Sequence, residues 1–411
     1  MDRRLLLPRL RETCFPWTLG AVPRPDRVGV EVEFLPRLAD GAAVPLAQLV
    51  KRIAAHGVAR GWSLGRTPLG DPLFHLPAGG TIGFEPGGQL EYSSPPAASV
   101  TELGGTTEEV LPPLFRALAE DGVRLDGVGL DPLGRVEDAP LLLRNERYLH
   151  MARYLAGRSP WGARMMRQTA AIHVNLDFGA RGGDRWRVLN AAAPALTAIF
   201  ANSSRMEGGD GGWRSLRSRA WRELDPERTG IFASAEDAAD VYLAFALRAP
   251  LIARPDASGA YLPAARWLER GELDGATWNR HLTTLFPEIR PKGYFEIRTP
   301  DALPLEWCLV PAVVLVGLTY DDEALRTARE LLPEPSAESL ARAGRAGLRD
   351  PALARTAAEL FDIALEGCGR LGPAEVDDRS LATARTFFER FTSRGRSPAD
   401  EIGTRPLAET A

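Results

Sequence analysis

The sequence predicts an α+β fold in which a large mixed domain is followed by a helical C-terminal region. Strand-like and helical runs alternate over the first 180 residues, a further strand follows residue 293, and the chain beyond Leu305 has an almost entirely helical pattern. Neither a repeat nor a break in composition divides the first 300 residues. We therefore expect one domain over residues 1–304, a helical region over 305–392 packed on it, and a flexible tail over 393–411.

The individual elements follow from side-chain periodicity and from turn residues. Residues 46–60 and 100–121 have the period of amphipathic helices, and residues 185–202 indicate a buried helix that Pro194 should kink. The glycines of GGDGGW, at 208–213, predict a loop tip. The predicted strands are RVGVEVEF, TIGFEPGGQLEYSS, RLDGVGLD, TAAIHVNLDF and GYFEIRTPD.

Composition argues against several classes of protein. A net charge of −4 without a basic block argues against a nucleic-acid binder. The first apolar run, three leucines ended by Pro8, is too short for a signal peptide, and the longest one, Trp307 to Leu318, is shorter than a membrane span. The three cysteines are scattered and form no CxxC pair, which indicates a reducing compartment. We expect a cytoplasmic protein without a nucleic-acid or membrane partner.

Several predicted strands combine an apolar face with an unusual polar face. Because strand side chains alternate, Glu31 and Glu33 point away from the apolar residues of GVEVEF. In the same way His173 and Asn175 share one face of AAIHVNLDF, and Glu296 and Arg298 share one face of YFEIRTPD. An antiparallel strand with one face in water explains any single segment. The recurrence of glutamate favours polar faces that meet in one site.

The segment EPGGQLEYS contains two further carboxylates, and their relative orientation depends on the turn between them. A two-residue hairpin at Gly87 and Gly88 places Glu85 and Glu91 on opposite faces. A wider loop or a bulge brings them together, and the two glycines suit either. The sequence leaves both arrangements open.

If these faces meet, five glutamates form a cluster that needs cations to remain ionised. They are Glu31, Glu33, Glu85, Glu91 and Glu296. Carboxylate oxygens without thiolates favour Mg²⁺, or Mn²⁺, over zinc. Mg²⁺ held in this way usually completes its shell with water and nucleotide phosphates, which predicts an ATP-using enzyme; the chain has no GxxxxGK[ST] phosphate loop.

These segments resemble, in order, the glutamate–cysteine ligase family of the plant and proteobacterial type. The likeness is strongest to its shorter bacterial branch, which makes γ-glutamylcysteine for ergothioneine synthesis. It rests on GVEVEF, FEPGGQLEYS, MMRQTAAIHVNLDF, FANSSRMEGGDGGWRSLRSRAWRELDPERTG and HLTTLFPEIRPKGYFEIRTPD. The resemblance covers about Arg27 to Asp301, so residues 1–304 are expected to be the catalytic domain.

The resemblance implies a fold similar to glutamine synthetase, a curved antiparallel sheet that forms a funnel with flanking helices. The five glutamates are then expected to bind Mg²⁺ between ATP and glutamate. His173, Lys292 and Arg298 are the implied catalytic residues, and the implied substrate and ATP ligands are Asn175, Arg167, Arg219, Arg228 and Trp221. Without the resemblance, Arg167, Arg219 and Arg228 are surface residues by default, and Trp221 is a packing residue.

The implied reaction joins the γ-carboxylate of L-glutamate to the amine of L-cysteine through a γ-glutamyl phosphate, with ADP and phosphate as products. Three alternatives remain: a ligase of the same fold with another amine, a non-catalytic glutamate or nucleotide binder, and a two-metal phosphohydrolase. The family often has Gln where this chain has His173, whose charge we expect to vary near neutral pH. Oligomeric state and the pathway that uses the product, ergothioneine, glutathione or another, are left open.

Overall fold

A computed structural model describes residues 3–20, 26–233 and 237–402 of the chain. Its strands are β1 (Val28–Leu38), β2 (Ser63–Arg66), β3 (Pro72–His75), β4 (Thr81–Phe84), β5 (Leu90–Ser93), β6 (Val123–Asp126), β7 (Ile172–Leu176), β8 (Arg205–Met206), β9 (Gly209–Asp210), β10 (Thr229–Gly230), β11 (Phe286–Pro287), β12 (Ile289–Pro291) and β13 (Phe295–Ile297).

Helices cover most of the remaining chain. They are α1 (Arg3–Cys14), α2 (Leu46–Val58), α3 (Val100–Glu120), α4 (Glu146–Ala156), α5 (Trp161–Gln168), α6 (Gly182–Ile199), α7 (Leu216–Leu224), α8 (Ala238–Arg248), α9 (Ala264–Glu269), α10 (Gly275–Leu282), α11 (Val310–Thr319), α12 (Asp322–Leu331), α13 (Ala337–Ala346), α14 (Pro351–Leu371), α15 (Asp378–Arg390) and α16 (Ala399–Ile402).

The alternating strands form one nine-stranded antiparallel sheet in the order β12-β13-β7-β1-β5-β4-β3-β2, with β6 paired to the second half of β1. The eleven-residue β1 is the central strand, since it pairs with β7, β5 and β6. Two short ribbons, β8–β9 and β10–β11, lie outside this sheet. Because β1 lies between β5 and β7, its polar face shares one side of the sheet with theirs.

The apolar face of the sheet packs on the C-terminal helices. Val30, Val32 and Phe34 of β1 are at most 1% exposed, and every residue of α11 is buried. Helix α11 contacts β1 and β7, and one hydrophobic cluster includes side chains from both halves of the chain. The helical region beyond residue 304 therefore completes the core beneath the sheet.

Capping residues satisfy the free backbone amide groups at helix starts, as helix α3 shows. Helix α3 begins after Ser99, whose hydroxyl accepts a hydrogen bond from Glu102 N at 3.1 Å, and Glu102 Oε2 accepts one from Ala98 N at 2.8 Å. These bonds satisfy amide groups that have no partner within the helix. The buried helix predicted at 185–202 is α6, which runs unbroken through Pro194.

The C-terminal segment differs from the flexible tail expected over 393–411. Ala399 N donates to Ala201 O at 2.9 Å, Ser204 Oγ donates to Ala399 O at 2.8 Å, and Arg349 Nη2 donates to Asp400 Oδ1 at 2.7 Å. Residues 393–402 are thus packed on the domain, while residues 403–411 lie outside the described residues. Among the described residues, no helix has the length and apolarity that crossing a membrane requires.

Candidate active site

The register of three strands brings the predicted carboxylates to one side of the sheet. Glu31 on β1 lies opposite His173 on β7, and Glu33 lies opposite Glu91 on β5. Glu296 on β13 lies opposite Asn175 on β7. The polar strand faces therefore meet, and they form the floor of a cleft.

The hairpin between β4 and β5 has the wider of the two loops that the sequence allows. Glu85 N donates to Gln89 O at 2.9 Å, and Gly83 pairs with Glu91. A three-residue loop, residues 86–88, therefore connects the strands, and Gly88 has a φ of +87°. Because a one-residue change of register reverses every side chain, this loop puts Glu85 on the same face as Glu91.

This hairpin is joined to helix α5. A Cβ atom at Gly87 would lie 2.3 Å from Arg167 O, so only glycine fits against the backbone there. Gln89 Nε2 donates to Thr169 O at 2.8 Å, just beyond the end of α5. The strand turn and the helix thus form one connected edge of the cleft.

The acidic side chains form two groups that could each hold a metal ion. Glu33, Glu85 and Glu91 form the first group, and Glu31, His173 and Glu296 form the second. Within each group the potential ligand atoms lie within 4.8 Å of one another. In the described part of the chain these are the two groups of three or more acidic, histidine or cysteine side chains with that spacing.

The first group lacks the positive charge that its carboxylates need. Burial and the neighbouring Glu91 raise the pKa of Glu33 to about 8, and burial and Glu33 raise that of Glu85 to about 8. Burial, with Glu31 and Glu85 nearby, raises the pKa of Glu91 well above its usual value. Ala171 N donates to Glu33 Oε2 at 2.8 Å, but this bond does not offset the repulsion. An added cation would hold all three carboxylates in the ionised form.

The second group has its positive charges built in. Glu296 is fully buried and bonds to Arg290 Nη2 at 2.9 Å, Lys292 Nζ at 3.0 Å and Arg298 Nη1 at 2.9 Å. Burial alone raises the pKa of Glu296, but Arg290, Arg298 and Lys292 outweigh it and hold the pKa well below the usual value. Glu296 is therefore ionised and fixes the positions of three cationic groups.

His173 links this group to β1. Its Nδ1 lies 3.1 Å from Glu31 Oε2, and Asn175 Nδ2 donates to Glu31 Oε1 at 3.1 Å. Burial and the nearby Arg298 lower the pKa of His173 to about 4. His173 is therefore neutral near pH 7, and the expectation that its charge varies there is wrong. In its neutral form His173 donates from Nδ1 to Glu31 and keeps Nε2 as an acceptor.

Helices α4, α5 and α7 and strand β11 form the opposite wall of the cleft. It is mainly apolar, with Tyr148, Met151, Met165, Met166, Trp221 and Phe286. Arg147 at the start of α4 donates to Thr283 O at 3.2 Å, and Arg290 lies 3.4 Å from the same oxygen. This wall is thereby tied to the floor at the end where Glu296 lies.

The comparisons with known proteins decide the family. A sequence profile described as glutamate-cysteine ligase family 2 (GCS2) matches residues 27–410. The chain belongs to this family. It is 36% identical over 359 residues to the glutamate–cysteine ligase EgtA of Mycobacterium tuberculosis, covering 82% of this chain and 79% of that protein. It is 32% identical over 352 residues to the chloroplastic glutamate–cysteine ligase of Arabidopsis thaliana, covering 78% and 66%.

A solved structure supports the fold. The glutamate–cysteine ligase of Francisella tularensis, crystallised in complex with AMP, superposes with a TM-score of 0.53 at 13% sequence identity, covering 93% of this chain and 85% of that one. The predicted family, the ligase class and the α+β fold of glutamine-synthetase type are therefore confirmed. As a member of glutamate–cysteine ligase family 2, the chain belongs to an enzyme family that uses ATP.

Three arginines assigned from the family resemblance lie outside this cleft lining. Arg167 donates to Ala139 O at 3.0 Å, and Arg219 bonds to Glu223 at 2.8 Å on the surface of α7. Arg228 is fully buried, 3.2 Å from Asp225, and donates to Thr284 O at 3.1 Å. Their charges are engaged in holding loops and helices, and direct substrate contact by these arginines stays a prediction. Asn175 and Lys292 also lie outside the lining, whereas Trp221 is part of it.

The cleft of this family member also contains residues that the sequence reasoning did not assign. Arg290 could have been found, because it alternates with Ile289 and Pro291 and lies opposite Glu296. Arg217 is 2% exposed and donates to Arg298 O at 2.7 Å, which supports the strand end that carries Arg298. No sequence pattern marks the residues of α4 and α5 that line the cleft, because which side chains face it depends on how those helices pack.

Proposed function

We propose that this protein is an ATP-dependent glutamate–cysteine ligase that forms γ-glutamylcysteine. The observation that carries the proposal is the pair of acidic groups on one cleft floor, one without compensating charge and one with three cations. The γ-phosphoryl group of ATP is transferred to a γ-carboxylate oxygen of glutamate, with ADP as the first product. The unprotonated amine of cysteine then forms the amide bond as the carbon–oxygen bond to phosphate breaks.

Glu33, Glu85 and Glu91 suit a hard divalent cation, Mg²⁺ or Mn²⁺. All their donor atoms are carboxylate oxygens, and their raised pKa values mark a site that gains from added positive charge. Glu31, His173 and Glu296 form a second candidate site, in which Arg290, Lys292 and Arg298 already neutralise Glu296. Bound Mg²⁺ reduces the repulsion between phosphate and carboxylate groups.

The cationic residues position the two anionic substrates. Arg298 is 8% exposed, and its ion pair with Glu296 fixes the guanidinium at the cleft floor. The Lys292 side chain is 38% exposed, so it can reach a phosphate while its Nζ stays beside Glu296. A fixed positive group costs no reorganisation when charge develops on the transferring phosphoryl group. His173 and Asn175 hold Glu31 in the orientation that faces the site.

The proposed partners are the small molecules L-glutamate, L-cysteine and ATP. The three cysteines are free and buried, which supports a reducing compartment and, with the composition, a cytoplasmic location. They lie outside the cleft lining, and the reaction needs no protein nucleophile.

The test is phosphate release from ATP and Mg²⁺ with L-glutamate, with and without L-cysteine, and identification of the product by mass spectrometry. Release that depends on cysteine, with γ-glutamylcysteine formed, supports the proposal. Release that depends on glutamate but not on cysteine indicates another amine acceptor. Absence of release in the presence of all three substrates overturns the proposal and favours a binding protein.

A further inference from the structure

Asp301 is a buried carboxylate that the proposed mechanism does not use. It follows strand β13 and lies outside the cleft lining. Its Oδ2 accepts hydrogen bonds from Asn202 N at 2.8 Å and Ser203 Oγ at 2.6 Å, and its Oδ1 accepts one from Ser215 Oγ at 2.9 Å. Burial raises the pKa of Asp301, and these donors and Arg217 oppose that rise. The three bonds hold the carboxylate in one orientation.

Each serine hydroxyl that donates to Asp301 also accepts a bond from the first turn of helix α7. Ser215 is the N-cap of this helix, and its Oγ accepts from Ser218 N at 2.9 Å. Ser203 Oγ accepts from Arg217 N at 3.1 Å. The first N–H groups of a helix have no partner within it, and a negative charge near them is favourable. Asp301 therefore orients two capping hydroxyls and fixes the place where α7 begins.

The side chain of Arg217 joins this network to the cleft floor. Its Nη2 donates to Arg298 O at 2.7 Å, and its Nη1 donates to Thr299 O at 3.4 Å. The guanidinium carbons of Arg217 and Arg298 lie 5.7 and 5.4 Å from the centre of the Trp221 ring. Arg217, Trp221 and Arg298 all line the cleft. The groups that depend on the orientation of Asp301 are thus groups that face the cleft.

The surroundings of Asp301 leave little room for its side chain to move. A Cβ atom at Gly129 would lie 2.4 Å from Asp301 Cγ, so any other residue there would displace the carboxylate. The Asp301 backbone pairs with Ala171, and Ala302 N donates to Ala170 O at 3.1 Å. Because apolar residues of similar volume often stabilise a fold as well as a buried charged network does, stability alone does not explain this one.

We propose that Asp301 is a positioning residue for phosphoryl transfer. It holds the start of α7 against the chain that follows β13, so that Arg217, Trp221 and Arg298 keep their places in the cleft. The inference rests on the proposed ligase function and names a residue that acts on the reaction without touching a substrate. A shift of about 1 Å in a group that acts on the transferring phosphoryl group can cost about a hundredfold in rate.

The experiment measures kcat and KM for phosphate release with ATP, L-glutamate and L-cysteine in the wild type and in Asp301→Asn. Because Oδ2 accepts two bonds and Oδ1 one, the amide NH₂ should face Ser215 Oγ, whose hydroxyl then loses its acceptor. We expect kcat to fall by about tenfold to a hundredfold, with the KM for ATP and for glutamate within about threefold of wild type. A folded Asp301→Asn enzyme with wild-type kcat overturns the inference, while the ligase function stands.

A pair of serine variants separates positioning from the loss of a helix cap, and it decides the inference if Asp301→Asn does not fold. Ser215→Ala removes one of the two hydroxyls and should lower kcat by about tenfold. Ser99→Ala is the matched control, because Ser99 is the N-cap of α3 and lies outside the cleft lining. Both variants should melt at a lower temperature, but Ser99→Ala should keep kcat within about twofold of wild type. Equal kcat values for the two variants, measured where both are folded, overturn the inference.

The double variant Asp301→Asn/Ser215→Ala tests whether the two residues act as one unit. Its kcat should lie within about threefold of that of Asp301→Asn alone, because the second substitution removes a bond that is already lost. A further tenfold fall would mean independent effects and overturn the inference. If the wild type releases no phosphate with all three substrates, the ligase function fails and the inference fails with it.

Discussion

Glu33 on β1 and Glu91 on β5 face each other across adjacent strands in the candidate active site, and burial together with Glu91 raises the pKa of Glu33 to about 8. Two carboxylates in direct register are unfavourable in a sheet unless a cation joins them. The proposed divalent cation would neutralise these two carboxylates.

Replacement of Glu91 should remove activity. Glu91→Gln keeps the shape of the side chain but removes one anionic ligand, so Mg²⁺-dependent phosphate release should fall by at least about a hundredfold. The control is Glu102→Gln at the start of α3, whose amide oxygen can still accept the bond from Ala98 N. We expect Glu102→Gln to retain activity within about twofold; a Glu91→Gln variant with comparable activity would show that the metal site is misassigned.

The same substitution in the two acidic groups should change stability in different ways. Glu296→Gln leaves three buried or partly buried cations without their common partner, and loss of such a buried pair costs about 3–5 kcal/mol. Glu91→Gln replaces a carboxyl group whose pKa is raised well above its usual value, so at pH 7.5 the cost should be below about 1 kcal/mol. Urea denaturation in EDTA measures both, and equal losses would contradict the charge assignment of the two groups.

Arg228 should matter more for stability than Arg219, and Arg219 should not affect substrate affinity. Arg228→Gln removes the cation from a network with Asp225, Tyr154 and Thr284, so we expect the free energy of unfolding to fall by about 3–5 kcal/mol. Its KM values for glutamate and ATP, measured at low temperature, should remain within about threefold of wild type. Arg219→Gln breaks a partly exposed pair with Glu223 and removes the cation from over the Trp161 ring, so it should cost only about 1–2 kcal/mol, less than Arg228→Gln. A tenfold rise in either KM for Arg219→Gln, with normal unfolding, would restore the role implied by the family resemblance.

His281 should make the protein less stable in acid. Burial and the nearby Arg228 lower the pKa of His281 from 6.5 to about 4, and its Nε2 lies 2.7 Å from Ala246 O. The unfolded chain therefore binds a proton below pH 6.5 that the folded protein binds only near pH 4. The contribution of neutral His281 to the free energy of unfolding is complete above pH 6.5. It is lost as pH falls toward 4, by about 1.4 kcal/mol per pH unit.

The measurement is urea denaturation of the wild type and His281→Gln at pH 5.0, 7.5 and 8.5. The stability of the wild type relative to the variant should fall by about 2 kcal/mol between pH 7.5 and 5.0. It should not change between pH 7.5 and 8.5, which is the internal control. A constant difference over the whole range would show that folding does not change the pKa of His281.

Local alternation was sufficient to predict the polar faces of the strands. It put Glu31 with Glu33, and Glu296 with Arg298, on the sides where the structure has them. It could not decide between the two faces for Glu85, because a single residue in the loop reverses the side chain. That choice is made by the contact of Gly87 with α5, which is distant in sequence.

Residues supplied by helices were the less predictable part of the site. Arg219 and Arg228 belong to the same specific motif as Arg217, yet only Arg217 lines the cleft. A motif records that residues belong to a family but not whether they contact a substrate or support the fold. The cleft positions of Met151, Met165 and Met166 were not predicted, because helical period identifies an apolar face but not whether that face meets the core or a cleft.

The close packing at Gly87 has a mechanical consequence. The turn that carries Glu85 and the helix that carries Met165 and Met166 touch backbone to backbone, with no side chain between them to yield. A movement of one should therefore move the other, so the width of the cleft between Glu85 and the Met165–Met166 side of helix α5 is fixed at this edge. Even one methyl group at residue 87 would push the turn and the helix apart and change the width of the cleft for every molecule that enters.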